Sequence, residues 1–307
     1  MRKTCLDMVY ELALKDERVV FVGSDLGVGT LDKLKAAAPD RFFMEGVSEA
    51  NILGMATGLA LEGRVVYVNT IATFLTRRSF EQVVVDLCLH NANVRLLGSG
   101  GGLVYAPLGP THLAIEDIAV MRAVPRMTVI APADASEMRR LMPLTVDYQG
   151  PIYIRLGKGG DPILTPDDPG YAIGKAVSIQ PGSDALILTT GVMLKCALDA
   201  AAELARGGVR AGVLHVPTIK PLDAEGILAA AAPVRAMLTI EEHSVVGGFG
   251  SAVAEVVAEA GFSPAKRFRR MGIPDEFPAG YGSQMPLLAR CGVSAEAAVA
   301  AVRDLLS

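Results

Sequence analysis

The spacing of apolar runs is the feature that most constrains what this chain can fold into. Val19-Val20-Phe21-Val22, Arg64 to Val68, Val94 to Leu97, Met127 to Ile130 and Ile152 to Arg155 are short and rich in β-branched or large aliphatic residues. Longer helical patterns separate them, such as Glu49 to Leu61 and Phe80 to His90. Near-continuous apolar strands alternating with helices predict a mainly parallel sheet covered on both faces. A second series follows, with strands at Ala185 to Leu188, Ala211 to Val216 and Ala236 to Ile240. Its helices are at Val192 to Arg206, Asp223 to Ala232 and Gly250 to Ala260.

Between the two series the composition changes to Gly159-Gly160, Pro162, Pro166 and Asp167-Asp168-Pro169-Gly170. The expected organisation is therefore two consecutive α/β domains, residues 1–165 and 181–307, joined by a linker over 166–180. A length of 307 residues suits two domains at about 150 residues each. The formal net charge of −4 gives no basic field to attract nucleic acid. No uninterrupted apolar run reaches the ~18 residues of a membrane span. Asp7, Glu11 and the Lys15-Asp16-Glu17 run break up any secretory signal after Met1-Arg2-Lys3. Cys5, Cys88, Cys196 and Cys291 form no CxxC pair, and the expectation is reduced thiols in a cytoplasmic protein. The four histidines have no metal-ligand spacing.

Several segments carry chemistry. Glu45 to Asn51 brings Glu49 to the start of an apolar helix that also holds Gly54 and Gly58, a pair suited to close packing against a partner. Such a carboxylate is equally favoured there by the helix dipole. Gly98-Ser99-Gly100-Gly101-Gly102 follows a strand; without GxGxxG spacing it reads as a flexible loop. Gly109-Pro110-Thr111-His112 is a turn that aims an imidazole out of the scaffold, either to trade protons with a ligand or to cap the next helix. Phe74 and Phe80 flank Arg77-Arg78 and could stack a heterocycle or fill the core. Glu241-Glu242-His243 before Gly247-Gly248 could form a site, but reads more readily as a turn with solvated carboxylates.

The order of these segments is more specific than any one of them. Gly46-Val47-Ser48-Glu49, Gly58-Leu59-Ala60, Phe74 to Gln82, Gly109 to His112 and Ile115 to Ala119 occur in sequence. They are followed by Leu188-Thr189-Thr190-Gly191, Ile219 to Asp223 and Glu241 to Gly248. Together they resemble the pyrimidine-binding and C-terminal domains of transketolase across essentially the whole chain. The Gly-Asp-Gly signature of the family's diphosphate-binding domain is not found in the sequence. The resemblance thus implies the C-terminal subunit of a split enzyme. An N-terminal partner subunit would hold most of the thiamine diphosphate and its Mg²⁺ or Ca²⁺, and the expected assembly is an α₂β₂ heterotetramer containing a dimer of this chain. The implied reaction transfers a two-carbon ketol unit from a ketose phosphate to an aldose.

The resemblance also implies roles. Glu49 would hydrogen-bond a ring nitrogen of the aminopyrimidine, Phe74 and Phe80 would line that ring, and Asp25 would lie near the thiazolium. His112 would contact substrate oxygens and assist proton transfer. Arg2 and Arg155 are two candidates for a substrate phosphate. Three positions depart from the family: Leu108 replaces a sugar-recognising Asp, Gly29 replaces a phosphate-contacting Ser, and Arg77 stands where some relatives place a stacking aromatic. A Leu cannot pair a sugar hydroxyl, so the expected substrate is less hydroxylated or branched. The competing readings are the beta subunit of a 2-oxo acid dehydrogenase first component, a deoxyxylulose-phosphate-synthase-like enzyme, and a non-catalytic scaffolding half.

Overall fold

The computed structural model describes residues 1–307 except 25, 27, 28, 30, 168 and 169. The first half runs α1 (Arg2–Lys15), β1 (Val19–Gly23), α2 (Asp32–Ala37), β2 (Phe42–Met44), α3 (Glu49–Leu61) and β3 (Val65–Ile71). A π-helical turn, Phe74–Arg78, leads into α4 (Phe80–Gln82), which continues in the π form over Val83–Cys88. Then come β4 (Val94–Ser99), α5 (Asp117–Ala123), β5 (Thr128–Ile130), α6 (Ala135–Leu144) and β6 (Ile152–Leu156).

The second half holds β7 (Val177–Gln180), β8 (Ala185–Thr189), α7 (Leu194–Arg206), β9 (Ala211–His215), β10 (Thr218–Lys220) and α8 (Ala224–Ala231). It ends with β11 (Ala236–Ser244), α9 (Phe249–Glu259), β12 (Arg267–Ile273), α10 (Gln284–Arg290) and α11 (Ala295–Leu306). Although the stretch from α10 to α11 is apolar enough on average to cross a membrane, a turn divides it. Leu287, Leu288, Val299 and Val302 pack into the second-domain core.

Two mainly parallel sheets result, as the alternating pattern predicts. The first has the order β10-β5-β6-β4-β3-β1-β2 and the second β12-β11-β8-β9-β7. Strand side chains alternate between faces, and the cores follow that period. Val19, Phe21, Val65 and Tyr67 pack beneath α1 and α6, whereas Val20, Val22, Val66 and Val68 pack with α3. The second set is continuous with Leu186, Leu188, Leu214 and Phe249, so the two sheets share one core.

Two departures from the expected organisation concern the join. Residues 177–180, read as linker, form β7, which pairs antiparallel with β9 at the sheet edge. In addition β10, from the second half, pairs antiparallel with β5 and completes the first sheet. Neither short strand carries a long apolar run, so periodicity does not reveal them.

Arg95 on β4 is fully buried without a carboxylate partner among the described residues. It donates to the carbonyls of Thr145 (2.7 Å), Gly150 (2.6 Å) and Tyr148 (2.5 Å). Burial pulls its guanidinium down to about 10.

Candidate active site

Glu49, Phe74 and His112 follow β2, β3 and β4, at the carboxyl edge of the first sheet, where open α/β sheets place their ligand sites. Glu49 is the first residue of α3 and is only 1% exposed. Its Oε2 accepts a hydrogen bond from Arg78 Nη1 at 2.8 Å, while Oε1 is buried with no partner among the described residues. An orphaned buried acceptor costs about 1–3 kcal/mol, so it marks a place where a donor is missing. The guanidinium of Arg78 lies 4.3 Å from the Phe74 ring centroid, and the same ring meets His112 edge-on at 5.4 Å. His112 engages Thr111 Oγ1 through Nδ1 at 2.8 Å.

The turn carrying His112 is tightly held. Gly109 has φ +77°, and a Cβ there would lie 2.7 Å from the Tyr281 ring. Arg77 donates to the carbonyls of Pro110 and Leu113 and pairs with Glu116 through two nitrogens. Helix α5 begins only at Asp117, so His112 does not cap it.

Beside this turn is a cavity of about 250 Å³, lined by Arg2, Val104, Tyr105, Pro107, Leu108 and Lys158 among others. Arg2 and Leu108, expected on substrate, therefore share one cavity, and Lys158 adds a cation that sequence reasoning missed. Arg2 Nη1 reaches the Tyr105 hydroxyl at 3.4 Å. The lining thus combines two cations with the apolar side chains of Val104, Pro107 and Leu108.

Several expectations need correction. Arg155 is 7% exposed and is committed to the interior. It binds Asp117 Oδ2 at 2.8 Å and Oδ1 at 3.2 Å, and the carbonyls of Ala114 and Glu242. It is not available to a substrate phosphate. The Gly98 to Gly102 segment is not a loose loop: Cβ atoms at Gly101 and Gly102 would come within 2.5 Å of Arg155 and 2.4 Å of Glu242. Its amides pair with Ala114 and Leu156 instead of facing an open site.

The carboxylates of Glu241 and Glu242 are buried rather than solvated. Glu241 receives Phe249 N (2.6 Å) and Gly250 N (2.8 Å) at the start of α9; Glu242 receives Leu103 N (2.7 Å) and Gln284 Nε2 (2.8 Å). Burial pushes both carboxyls above their ordinary range. Among the described residues no atom lies within 4 Å of a Cβ built at Gly58, and the nearest to one at Gly54 is Asp86 Oδ2 at 3.9 Å, so both positions are open there. Phe80 is half-buried against the shared core. Asp25 lies outside the described residues.

Residues 1–160 match the transketolase pyrimidine binding domain and 174–297 the transketolase C-terminal domain. The chain belongs to the transketolase family. It is 40% identical over 299 residues to an uncharacterised transketolase-family protein of Sinorhizobium fredii, covering 96% of this chain and 86% of that one. It is 37% identical over 278 residues to a 6-deoxy-6-sulfo-D-fructose transketolase subunit of a Clostridium species (90% and 85%). It is 38% identical over 297 residues to an apulose-4-phosphate transketolase subunit of Phocaeicola vulgatus (96% and 94%).

Among solved structures, a split-gene transketolase described as an inactive β4 tetramer superposes with TM-score 0.90 at 35% identity, covering 99% and 97% of the two chains. This chain has the pyrimidine-binding and C-terminal domains of transketolase and resembles a split-gene transketolase chain over nearly its whole length.

Proposed function

We propose that this chain is one half of a two-subunit transketolase that moves a two-carbon ketol unit from a ketose phosphate to an aldose. Thiamine diphosphate is the proposed cofactor. A separate N-terminal subunit would hold its diphosphate and Mg²⁺ in an α₂β₂ assembly. The observation that carries this reading is the Glu49 carboxylate, with one oxygen held by Arg78 and the other buried without a donor, beside Phe74 and His112. A protonated nitrogen of the cofactor's pyrimidine ring is a fitting donor for Oε1, and Phe74 offers the ring an apolar surface. When bound, thiamine diphosphate supplies the carbon centre that accepts and passes on the two-carbon unit. His112 would give or take a proton at a substrate oxygen through Nε2.

Arg2 and Lys158 suit the anionic end of a sugar, since both are cations on one small cavity. The Clostridium and Phocaeicola relatives are named for substrates with a sulfo group and a phosphate, which supports an anionic terminus here. Leu108 is 51% exposed and lines the cavity with an apolar side chain, which favours a substrate lacking a hydroxyl at that point. The β4 tetramer of the split-gene relative, described as inactive, supports the need for a partner subunit.

The test is reconstitution with the N-terminal subunit, Mg²⁺ and thiamine diphosphate, assayed over a panel of ketose phosphates and aldoses. Two-carbon transfer is expected, with Glu49→Gln lowering kcat by at least about 100-fold. Pyruvate decarboxylation without sugar transfer would instead favour the 2-oxo acid dehydrogenase reading. Condensation of pyruvate with an aldose phosphate would favour the deoxyxylulose-phosphate-synthase reading. The latter has sequence support, since the enzyme of Geobacter sulfurreducens is 36% identical over 304 residues, of whose length this chain spans 47%.

A further inference from the structure

We propose that the consecutive arginines Arg77 and Arg78 are positioning residues for the two reactive side chains, Arg78 for Glu49 and Arg77 for His112. The inference rests on the reading of the site given above. Both lie on the π-helical turn Phe74–Arg78, and π turns often occur at functional positions. Consecutive helical residues point in different directions, so one short turn can serve two separate elements.

Arg78 acts on the carboxylate. It is half exposed, while its partner Glu49 is 1% exposed. Its Nη1 fixes Oε2 at 2.8 Å, and its own plane is supported over the Phe74 ring at 4.3 Å. A carboxylate with one oxygen pinned cannot rotate freely, so the unpartnered Oε1 keeps a fixed direction. A ligand donor then meets an acceptor already in place, and little ordering cost remains at binding.

Arg77 acts on the imidazole. Its Nη1 donates to the Pro110 carbonyl at 3.3 Å and its Nη2 to the Leu113 carbonyl at 2.8 Å. These two acceptors bracket His112, so one guanidinium spans the whole Pro110–His112 turn. On the opposite side Glu116 accepts from Nε and, at 2.8 Å, from Nη2, holding the fork in its plane. Lysine has no planar fork and cannot make this set of contacts. Phe74, on the same π turn, meets the His112 ring. Displacing the turn would move both reactive groups, and each arginine controls one of them.

The first readout needs no cofactor. The chain has four histidines, so ¹³Cε1-histidine labelling gives a four-line spectrum in which His112→Asn assigns the His112 line. Arg77→Met should shift or broaden that line and Arg78→Met should not. Arg77→Lys, which keeps the charge opposite Glu116 and so protects the fold, should behave like Arg77→Met. The second readout uses the complex with the N-terminal subunit, Mg²⁺ and thiamine diphosphate. Arg78→Met should raise the cofactor Kd about tenfold or more, with substantial recovery in Arg78→Lys. Arg77→Met should lower kcat while the cofactor Kd stays unchanged, and Arg77→Met/His112→Asn should be no slower than His112→Asn alone.

An unmoved His112 line in both Arg77 variants overturns the Arg77 half, as does a multiplicative double variant. Tighter cofactor binding by Arg78→Met overturns the Arg78 half, because the guanidinium would then occupy the ring's place. If the parent complex binds no thiamine diphosphate, the functional reading fails instead, and the cofactor-free spectrum still decides the role of Arg77.

Discussion

Replacing Arg155 by Met should destabilise the fold without acting on substrate binding. Arg155 and Asp117 are 7% and 0% exposed, and the guanidinium forms a two-pronged contact at 2.8 and 3.2 Å. Burial opposes its charge, but the carboxylate of Asp117 more than compensates and holds the guanidinium above its ordinary range. Removing the cation leaves Asp117 buried with only the Tyr153 hydroxyl, at 2.7 Å, among these partners. It also removes the donors to Ala114 O and to Glu242 O in the second half. Breaking a buried pair from one side costs about 3–5 kcal/mol, whereas replacing both partners by apolar groups of similar volume recovers most of that loss. Guanidinium unfolding followed by far-UV circular dichroism measures both, and the chain has no Trp to offer a fluorescence alternative. Arg155→Met should lose about 3–5 kcal/mol and Arg155→Met/Asp117→Leu about 1–2 kcal/mol. A single variant within about 1 kcal/mol of the parent, or a double variant no better than the single, would refute the argument. A stable Arg155→Met protein with raised KM for the sugar phosphate would return Arg155 to the substrate.

Three other outcomes follow from the geometry. Burial alone would raise the Asp134 carboxyl, but the amides of Glu137, Thr165 and Leu164 and the Thr165 hydroxyl outweigh it and hold it below its usual value. Its contribution is complete above the unfolded carboxyl pKa of ~3.9 and is lost as pH falls through the lower folded value. Asp134→Ala should therefore cost about 2–4 kcal/mol at neutral pH and flatten the stability curve in acid, measured by unfolding at pH ~7 and below pH ~4. Burial pushes the thiols up to about 12 for Cys5 and about 11 for Cys88 and Cys196, so a thiol reagent at neutral pH should reach only half-buried Cys291 until denaturant is added. In the reconstituted enzyme, Leu108→Asp should raise kcat/KM about tenfold for a ketose phosphate with a hydroxyl facing that side chain, relative to its deoxy analogue; no change in the ratio would remove Leu108 from recognition.

The elements legible in the sequence are those whose burial is written in their own residues. Val19–Gly23, Val94–Ser99 and Ile152–Leu156 are buried throughout and read as apolar runs. In contrast, β12 carries exposed Arg267, Arg269 and Arg270 at a sheet edge, and β7 and β10 are set by their pairing partners. The burial of Glu241 and Glu242 depends on amides contributed by Phe249, Gly250 and Leu103, which no local pattern displays. Glu49 and His112 are legible through the order of several motifs. The partners Arg78 and Arg77 are visible only as an unusual cationic pair beside an aromatic. Their targets lie 29 positions away for Arg78 and 33 and 36 positions away for Arg77, beyond any local periodicity.

The three residues of β10 have a consequence for how the chain can be divided. Because they complete the sheet of the first half, a fragment ending at residue 165 would leave the β5 edge unpaired and open to adventitious strand addition. A proteolytic nick in the segment around Gly159 and Gly160 should therefore leave the two pieces associated, zipped by a strand and a common core. The same interlock resists bending between the halves. Access to the Glu49 and His112 face would then be governed by the neighbour seated against it, with this chain acting as a stiff jaw.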